Sequence, residues 1–482
     1  MTEITFPNIP LYQGWGKPLR TESTVTGLEL VEGHVPEGLN GTWYRAGPDR
    51  QYPPMSGEDI FIDGEGMMHM FRFEDGHVSY KSRWSRSARF LAQEKAKRSL
   101  FGRYRNRHSD DPEAAGVHGG TANTNMIFHA GRLTVLKEDD LPYQIDPDTL
   151  ETGPRTDFEG RIKSTSLSAH PKLDLIRNEL LTFSFQAKGD GSTDFAFYIF
   201  DEAGEVAHEM WFQAPWAGVV HDFAITESHV IVPFFPLVTT MDAVKGGATF
   251  YEYHEDKPTH VAVFPRRGTA EDIRWFQGPN TTAGHMLNAV TEGSKVHLDL
   301  CLYQGNCFPF FKTPDGRTTQ PVPPLLSRMT FDLSRNDDGF ETRVLTPRPG
   351  EMPRTDDRYQ GRPYRWGYLI MARAGDGTST IGRVDVTTGA VDNWDHGQKI
   401  SVHEPQFVPR TPDSPEGVGW LLVILNRLDQ GHSELAVFDA EKLADGPVAR
   451  LHLPVRVRST FHGSWVPEEA LKTGRYDMSI AA

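Results

Sequence analysis

Short runs of alternating hydrophobic and polar residues recur along the whole chain, and an acidic turn interrupts each of them. In every repeat the alternation leads to an Asp or a Glu, continues through Gly, Asn or Pro, and then resumes. Such a pattern predicts a β-hairpin, because residues two apart on a strand share one face and turn residues separate the two strands. Six hairpins are predicted, within residues 70–80, 143–152, 197–212, 329–345, 382–394 and 434–453.

Five of these hairpins place an Asp at the end of the first strand. An Asp side chain in that position accepts hydrogen bonds from backbone amides a few residues later, which stabilises the turn. Turn formation therefore explains these residues without a metal or a catalytic role. They are Asp146, Asp201, Asp332, Asp385 and Asp439.

Long helical periods are scarce, and 45 Gly and 34 Pro residues are spread through the sequence. We therefore predict an all-β fold. A closed ring of four-stranded sheets protects the edges of so many strands, which favours a single β-propeller over residues 1–482, with a short N-terminal arm at about 1–25. Loops and short helices, including one helix within 86–102, are expected to cap one face. A pair of β-sandwiches is the alternative, although no linker of biased composition divides the sequence.

The bulk composition excludes several classes of function. A formal net charge of −15 argues against a nucleic-acid partner. The two cysteines, Cys301 and Cys307, provide no disulfide framework and fit a reducing compartment. The apolar segment 233–238 is too short to span a bilayer, and the N-terminus shows no signal pattern. We expect a cytoplasmic protein without stable membrane insertion, and a homodimer is compatible with the sequence.

Four histidines in short, unlike contexts are the main candidates for chemistry: His170 in SLSAHPK, His221 in VVHDFAIT, His285 in GHMLNAV and His462 in FHGSWVP. No local metal motif separates its ligands so widely. A radial fold can bring one residue from each of several sheets to a common axis. Four neutral imidazoles without a carboxylate would there hold a ferrous ion and leave positions open for dioxygen. The alternative is that they are ordinary members of a set of 19 histidines.

Two further pairs compete as metal ligands. His297 with Asp299, and His432 with Glu434, match the H-x-D/E half of a three-residue iron site. Residues two apart on a strand share a face, so either pair could chelate a metal. Both pairs lie in alternating strands, where polar residues at every second position mark the solvated face. We therefore interpret them as structural.

The contexts of the four histidines, with other motifs in the same order, resemble the carotenoid cleavage oxygenase family. The motifs are HPK at 170–172, HDFAIT at 221–226, H-x-x-NA at 285–289, HG-x-W at 462–465, KEDDLPYQIDP at 137–147, EMPR at 351–354, RYQGRPYRWGY at 358–368 and EPQFVPR at 404–410. The similarity runs from about residue 61 to residue 467. It implies a seven-bladed propeller whose axial histidines, here His170, His221, His285 and His462, bind non-haem Fe(II).

The resemblance also implies roles for residues around the metal. Family members orient some of the imidazoles with glutamates, and the matching positions are Glu138, Glu351 and Glu404. A carboxylate that accepts the distal imidazole N–H fixes the tautomer and strengthens the ligand. Thr124 matches a threonine near the open side of the iron. Without the resemblance, each glutamate would be interpreted as a solvated strand end.

One branch of the family cleaves 4-hydroxystilbenes and isoeugenol-type phenylpropenes, and this protein resembles that branch at Lys137 and Tyr104. An ammonium and a phenol hydroxyl aimed at one substrate hydroxyl would bind it and favour the phenolate. The alternative for Lys137 is a surface lysine. The sequence differs from the best stilbene-type matches at Phe61-Ile62, where a pair of aromatics is common. This difference leaves the identity of the substrate's tail undecided. Phe308 and Phe310, with the adjacent Phe311, are expected to line the cleft.

The sequence thus predicts an iron(II)-dependent oxygenase that uses O2 on a small 4-hydroxyphenyl alkene. It would cleave the alkene double bond of the substrate's tail and yield a 4-hydroxybenzaldehyde-type aldehyde. No flavin, nicotinamide or oxoacid is implied, because the substrate supplies all the electrons. A carotenoid-cleaving dioxygenase is the alternative within the family. A calcium-centred propeller hydrolase and a non-catalytic propeller that binds proteins are the other rivals. Both leave the four histidines unexplained, since calcium prefers oxygen ligands.

Overall fold

The computed structural model describes residues 4–320, 322–373 and 377–480, and most of its regular structure is β-strand. The α-helices among these residues are short: Ala88–Ala96, Met241–Lys245 and Glu468–Thr473. Short 3-10 helices span Pro10–Tyr12, Gly14–Gly16, Arg107–Ser109, Pro112–Ala114, Ala270–Asp272, Asp357–Tyr359 and Leu443–Asp445. No helix in the described part of the protein is long and apolar enough to cross a membrane.

The strands form antiparallel sheets that follow one another along the sequence, and we number them sheet 1 to sheet 7. Sheet 1 contains Gly463–Pro467, Gly41–Asp49, Glu65–Glu74, His77–Trp84 and Ser23–Val25. Sheet 2 contains Asn125–His129, Arg132–Leu136, Tyr143–Ile145 and Thr152–Arg155. Sheet 3 contains Lys172–Asp174, Glu179–Ser184, Asp194–Phe200 and Val206–Gln213. Sheet 4 contains Ala224–Ile225, His229–Phe234, Thr259–Pro265 and Arg274–Gly278.

Sheets 5 and 6 share one long strand, Glu341–Arg354. Its residues up to Pro349 pair with sheet 5, and those from Gly350 onward pair with sheet 6. The other strands of sheet 5 are Thr282–Glu292, Lys295–Tyr303 and Leu325–Asp332, and those of sheet 6 are Trp366–Ala372, Ser379–Asp385 and Val391–Asn393. Sheet 7 contains Ile400–Val402, Gln406–Pro409, Gly419–Arg427, His432–Asp439, Pro447–His452 and Glu29–Gly33. A separate two-stranded pair joins Leu237–Val238 to Glu252–Tyr253.

The ring of sheets is closed by hydrogen bonds between N-terminal and C-terminal strands. Gly41–Asp49 pairs with Gly463–Pro467 in sheet 1, and Glu29–Gly33 pairs with Pro447–His452 in sheet 7. Closure of this kind removes exposed edges that would otherwise pair with other molecules. The β-propeller prediction is confirmed, and dividing the shared strand as above gives seven sheets of at least four strands. The predicted arm is shorter than about 1–25, because Ser23–Val25 already pairs within sheet 1.

All six predicted hairpins are present as antiparallel strand pairs. The five turn aspartates accept backbone N–H groups two or more residues later, which confirms their structural role. Asp146, for example, accepts the amides of Asp148 and Thr149 at 3.0 and 2.7 Å. Equivalent bonds are made by Asp201, Asp332, Asp385 and Asp439.

The helix predicted within 86–102 covers Ala88–Ala96. Its first turn is capped by Ser87, whose hydroxyl accepts the Phe90 amide, a common N-cap arrangement. The helix ends earlier than predicted because Lys97 adopts a left-handed conformation with φ of 58°. Loops after this helix meet the loops around residues 247–252 and 309–318 at one outer cavity, as expected for a cap over one face.

Candidate metal centre

Four histidine residues converge at the axis of the propeller. One ring nitrogen from each lies within 4.8 Å of the others, and this is the set of potential metal ligands found in the described residues: His170, His221, His285 and His462. The Nε2 atoms of His170 and His221 are 3.1 Å apart. Residues far apart in sequence thus meet as the sequence analysis expected of a radial fold.

The inner edges of the sheets bring these side chains together. The innermost strands pack against one another around the axis, as Gly463–Pro467 does with Asn125–His129 and Ala224–Ile225 does with Thr282–Glu292. Each of the seven sheets contributes one site residue from within or just beside its innermost strand. From sheet 1 to sheet 7 these are His462, Thr124, His170, His221, His285, Glu351 and Glu404.

Local features of the strands aim the histidines inward. The register of sheet 5 shifts between Ala283 and Met286, so His285 sits in a bulge, a device that re-aims a side chain. Asp222 connects the three short segments that contain His170, His221 and His285. Its Oδ2 accepts the Met286 amide at 2.8 Å, and its Oδ1 lies 2.7 Å from the Lys172 ammonium.

Three of the imidazoles are held by the three predicted glutamates. The Nδ1 atoms of the histidines lie 3.0, 2.7 and 2.7 Å from carboxylate oxygens in the pairs His221–Glu138, His285–Glu351 and His462–Glu404. A carboxylate that accepts a hydrogen bond from Nδ1–H keeps the proton on Nδ1 and so leaves the Nε2 lone pair free to bind a metal. The Nε2 of His285 is buried and has no hydrogen-bond partner among the described residues, which suits a metal-binding atom.

The second oxygen of each glutamate is also bound, by residues that the sequence analysis did not all identify. Lys137 Nζ is 3.5 Å from Glu138 Oε1. Tyr303 donates to Glu351 Oε1 at 3.3 Å, and Arg45 donates to Glu404 Oε2 at 3.4 Å. No sequence signal marked Arg45 or Tyr303, because their partners lie in other sheets.

The electrostatics favour neutral imidazoles at His170 and His462 and an ionised carboxylate at Glu404. At His285 burial would lower the pKa, but Glu351 outweighs it and raises the pKa. Burial lowers the pKa of His170 well below its ordinary value, and the other three rings lower it further. Burial also lowers the pKa of His462 to about 4, although Glu404 opposes this. Burial would raise the pKa of Glu404, but His462 and Arg354 outweigh it and bring that pKa down to about 2. A neutral nitrogen is the form that binds a metal.

This donor set fits one divalent transition-metal ion. The span of 4.8 Å is about twice an ordinary metal–imidazole distance of roughly 2.0–2.1 Å. Imidazole suits iron, zinc, copper and nickel, whereas calcium and magnesium require oxygen ligands. The two competing pairs, His297–Asp299 and His432–Glu434, are not part of this histidine cluster. Asp299 binds Arg328 at 2.7 Å, and His432 pairs with its own neighbour Glu434 at 3.1 Å.

A mainly apolar cleft opens onto the histidines. Its cavity volume is about 240 Å³, at the small end for ligand sites. All four predicted pocket residues line it, namely Phe61, Ile62, Phe308 and Phe310, together with Phe311, Val219 and Phe461. The Phe308 ring meets the His221 ring edge to face at 5.4 Å. The cleft can therefore hold an apolar molecule directly against the proposed metal ligands.

Lys137 and Thr124 also line this cleft. Lys137 is 4% exposed, which excludes the surface-lysine alternative. Its Nζ lies 3.4 Å from the hydroxyl of Tyr104, a residue that lines the adjoining outer cavity. The backbone carbonyl of Thr124 accepts the His462 amide at 3.0 Å, which ties that threonine to a ligand segment. The cleft thus combines a mainly apolar interior with the buried ammonium of Lys137 in its wall.

Comparison with known proteins places these features in a family. Residues 16–467 match the family model described as retinal pigment epithelial membrane protein. The sequence is 39% identical to lignostilbene-α,β-dioxygenase isozyme III of Sphingomonas paucimobilis, covering 97% of this protein and 99% of that one. It is 38% identical to isoeugenol monooxygenase of Pseudomonas nitroreducens, covering 95% and 98%. The crystal structure of Pseudomonas brassicacearum lignostilbene dioxygenase superposes with a TM-score of 0.94 at 42% identity, covering 96% of this protein and 100% of that one.

Proposed function

Because this protein belongs to the retinal pigment epithelial membrane protein family, which includes the carotenoid cleavage oxygenases, we propose that it is an iron(II)-dependent oxygenase for 4-hydroxyphenyl alkenes. The proposed reaction uses O2 to split the alkene double bond of a stilbene or an isoeugenol-type phenylpropene into two carbonyl fragments. One fragment is a 4-hydroxybenzaldehyde. No electron donor other than the alkene is needed, since both alkene carbons are oxidised to carbonyls as O2 is reduced.

The observation that carries this proposal is the position of the Lys137–Tyr104 pair. Lys137 lines the same small cleft as His221 and His285, and its ammonium contacts the Tyr104 hydroxyl. A phenol oxygen placed at this pair would lie at one end of the cleft, with the alkene directed toward the histidines. An entirely apolar substrate would leave the buried ammonium without a substrate partner, which disfavours the carotenoid alternative.

The two residues differ in what they supply. Burial would lower the pKa of Lys137, but Glu138 and Asp139 outweigh it, so the pKa is raised and the side chain stays an ammonium. Burial raises the pKa of Tyr104 well above its ordinary value, and Glu138 raises it further, so Tyr104 stays a hydrogen-bond donor. Together they stabilise the phenolate of the substrate, whose charge is conjugated with the alkene.

Four histidines would hold the ferrous ion: His170, His221, His285 and His462, oriented by Glu138, Glu351 and Glu404. Bound there, iron(II) would supply the activation of dioxygen. The cleft residues Phe61, Ile62, Phe308 and Phe310 exclude water and align the alkene, and Thr124 lies at the edge of the metal site. Small aromatic alkenes and O2 are therefore the proposed partners. A cytoplasmic location and a homodimer stay predictions of the sequence.

Product analysis tests this function directly. Iron-loaded protein under air would be given a 4-hydroxystilbene, isoeugenol and a carotenoid in parallel, with mass spectrometry of the products. We expect a 4-hydroxybenzaldehyde-type aldehyde from at least one phenolic alkene and none from the carotenoid. Cleavage of the carotenoid alone would favour the alternative within the family. Tight calcium binding without iron binding would favour a hydrolase.

A further inference from the structure

A second polar position exists on the cleft wall, formed by Tyr303 and Glu351. Tyr303 donates to Glu351 Oε1 at 3.3 Å, while Glu351 Oε2 lies 2.7 Å from His285 Nδ1. Both residues line the cleft. They belong to sheets 5 and 6, whereas Lys137 follows the second strand of sheet 2 and reaches His221 through Glu138. The cleft therefore has two polar positions that connect to different histidines.

Glu351 differs from the other two glutamates in its accessibility. Its side chain is 22% exposed, compared with 5% for Glu138 and 3% for Glu404. The Glu351 carboxylate lies next to Gly284, which also lines the cleft. A Cβ added at Gly284 would come within 2.7 Å of Glu351 Oε1, so the absence of a side chain there leaves this oxygen open to a ligand.

The backbone fixes the Glu351 carboxylate in this place. Sheet 6 shifts register between Glu351 and Arg354, and Met352 has a left-handed φ of 54°. A methionine rarely adopts that conformation, and such strain is concentrated at functional sites. The Met352 amide donates to Glu351 Oε2, the same oxygen that faces His285. Oε2 is therefore occupied by His285 and by the Met352 amide, whereas Oε1 accepts a single hydrogen bond among the described residues, from Tyr303, and has room for one further partner.

Tyr303 is suited to donate a hydrogen bond to a ligand. Burial raises the pKa of Tyr303, and the neighbouring charge of Glu351 raises it further, so the hydroxyl keeps its proton. A neutral hydroxyl group placed between the two residues could accept from Tyr303 and donate to Glu351 Oε1. This exchange would leave no buried polar group unpaired. A carboxylate in the same place would be repelled by Glu351, and a methyl group would gain no hydrogen bond.

We propose that Tyr303 and Glu351 form a subsite for a neutral hydroxyl on the part of the substrate beyond the double bond, so that 4-hydroxyphenylpropenyl alcohols are a preferred substrate class. This inference rests on the proposed function, because the phenol end must lie at Lys137. The short distance between the double bond and this hydroxyl fits the position of Glu351 beside the histidines. Glu351 contacts a proposed metal ligand, and a hydroxyl one carbon beyond the alkene stays close to the metal site.

A matched ligand series tests the subsite. Isoeugenol, coniferyl alcohol and ferulate share the same phenol ring and end in a methyl, a hydroxymethyl and a carboxylate group. Their dissociation constants would be measured without oxygen on cobalt(II)-loaded protein, from the cobalt absorption bands. In the wild type we expect coniferyl alcohol to bind about 3- to 10-fold more tightly than isoeugenol, and ferulate to bind most weakly.

Two variants assign this preference to the subsite. Tyr303→Phe should bind isoeugenol as tightly as the wild type does. The ratio of the dissociation constants of isoeugenol and coniferyl alcohol should fall close to one in this variant. Gly284→Ala should also reduce the ratio, because the new Cβ displaces Glu351 Oε1. Its cobalt content is measured in parallel, since Glu351 also orients His285. Lys137→Met serves as the control, since it should weaken both ligands equally and keep their ratio. An unchanged ratio in Tyr303→Phe would overturn the subsite.

The same samples separate the subsite from the proposed function. Iron-loaded wild-type protein would be given the same ligands under air, and aldehyde would be measured. If the binding preference holds but no aldehyde forms, the proposed reaction is wrong and the subsite stands. If aldehyde forms but coniferyl alcohol has no advantage in binding, the reaction stands and the subsite is wrong.

Discussion

The ammonium of Lys137 lies 3.4 Å from the hydroxyl of Tyr104 and, on its other side, 3.5 Å from Glu138 Oε1. One buried cation therefore joins the proposed phenol-binding end of the cleft to the carboxylate that orients His221. A substrate phenolate at this position would share the ammonium with Glu138. Substrate binding and the electrostatics of the metal site are thus linked through a single side chain.

Replacing Lys137 with Met should lower kcat/KM for a 4-hydroxystilbene by about 10- to 100-fold, because a charge-assisted hydrogen bond to the phenolate is lost. Iron content should stay near that of the wild type, since Glu138 still accepts from His221. Lys163→Met is the control, because that lysine is 70% exposed and does not line the cleft. Loss of iron from Lys137→Met would make the lysine structural rather than a substrate contact.

The pH dependence of kcat/KM should reflect the ionisation of the substrate phenol rather than that of Lys137 or Tyr104. Against the lowering effect of burial, Glu138 raises the pKa of Lys137, and burial raises the pKa of Tyr104, so both groups lose their protons only at high pH. Neither group changes charge between about pH 6 and 9. The kcat/KM profiles of the wild type and of Tyr104→Phe should have the same shape over this range. An inflection present only in the wild type would contradict this assignment.

Glu404→Gln should weaken metal binding by about 10- to 100-fold, because the amide lacks the charge that strengthens His462 as a ligand. It should also reduce the free energy of unfolding by about 3 kcal/mol, since the fully buried Arg45 loses its charged partner. Chelator competition and thermal melting measure the two effects. Glu441→Gln, at a half-exposed position in an outer loop of sheet 7, should change neither.

Removing one proposed ligand should distinguish the histidine cluster from the competing pair His432–Glu434. His221→Ala should lose most bound metal, and added iron(II) or cobalt(II) should no longer raise its melting temperature, because ligand binding stabilises only a folded site. His432→Ala should keep one metal ion per molecule, since His432 pairs with Glu434 outside the histidine cluster. Equal metal loss in both variants would indicate general destabilisation instead of ligand removal.

Ile62→Phe should narrow the cleft near Phe61 and Phe461. A second aromatic beside Phe61 restores the pair that is common in stilbene-type relatives and gives the second ring of a stilbene a ring contact, so the ratio of kcat/KM for 4-hydroxystilbene over isoeugenol should rise by about 3- to 10-fold. Ile60→Phe is the matched control, because Ile60 lines the outer cavity. Equal ratios in the wild type and in Ile62→Phe would show that residue 62 does not select the substrate tail.

Much of the architecture could be predicted from local sequence patterns. Alternation and turn chemistry located the six hairpins and assigned their aspartates, because strand pairing across a short turn depends on adjacent residues. A helix was correctly predicted within 86–102, but its end at Ala96 was not. Lys97 adopts the left-handed conformation that stops it, and nothing in a lysine predicts that conformation.

The four histidines and their glutamates were identified from motifs rather than from any local geometry. The sequence could show that His170, His221, His285 and His462 stand in distinctive contexts. The family resemblance added Lys137 as a substrate contact and Glu138 as a residue that orients an imidazole. The sequence could not show Arg45 behind Glu404 or Tyr303 behind Glu351. Those contacts join strands of different sheets, and no spacing rule connects them.

Residue patterns alone were enough to predict six hairpins, their turns, the closed all-β class and the residue types that carry the chemistry, because each of these depends on short-range periodicity or on motifs. The three-dimensional structure was needed to show which residue each sheet presents at the axis, which oxygen of each glutamate faces a histidine, and where the cleft exposes Lys137 and Tyr303. Long-range packing sets these positions, because the ring closes through strands from opposite ends of the sequence.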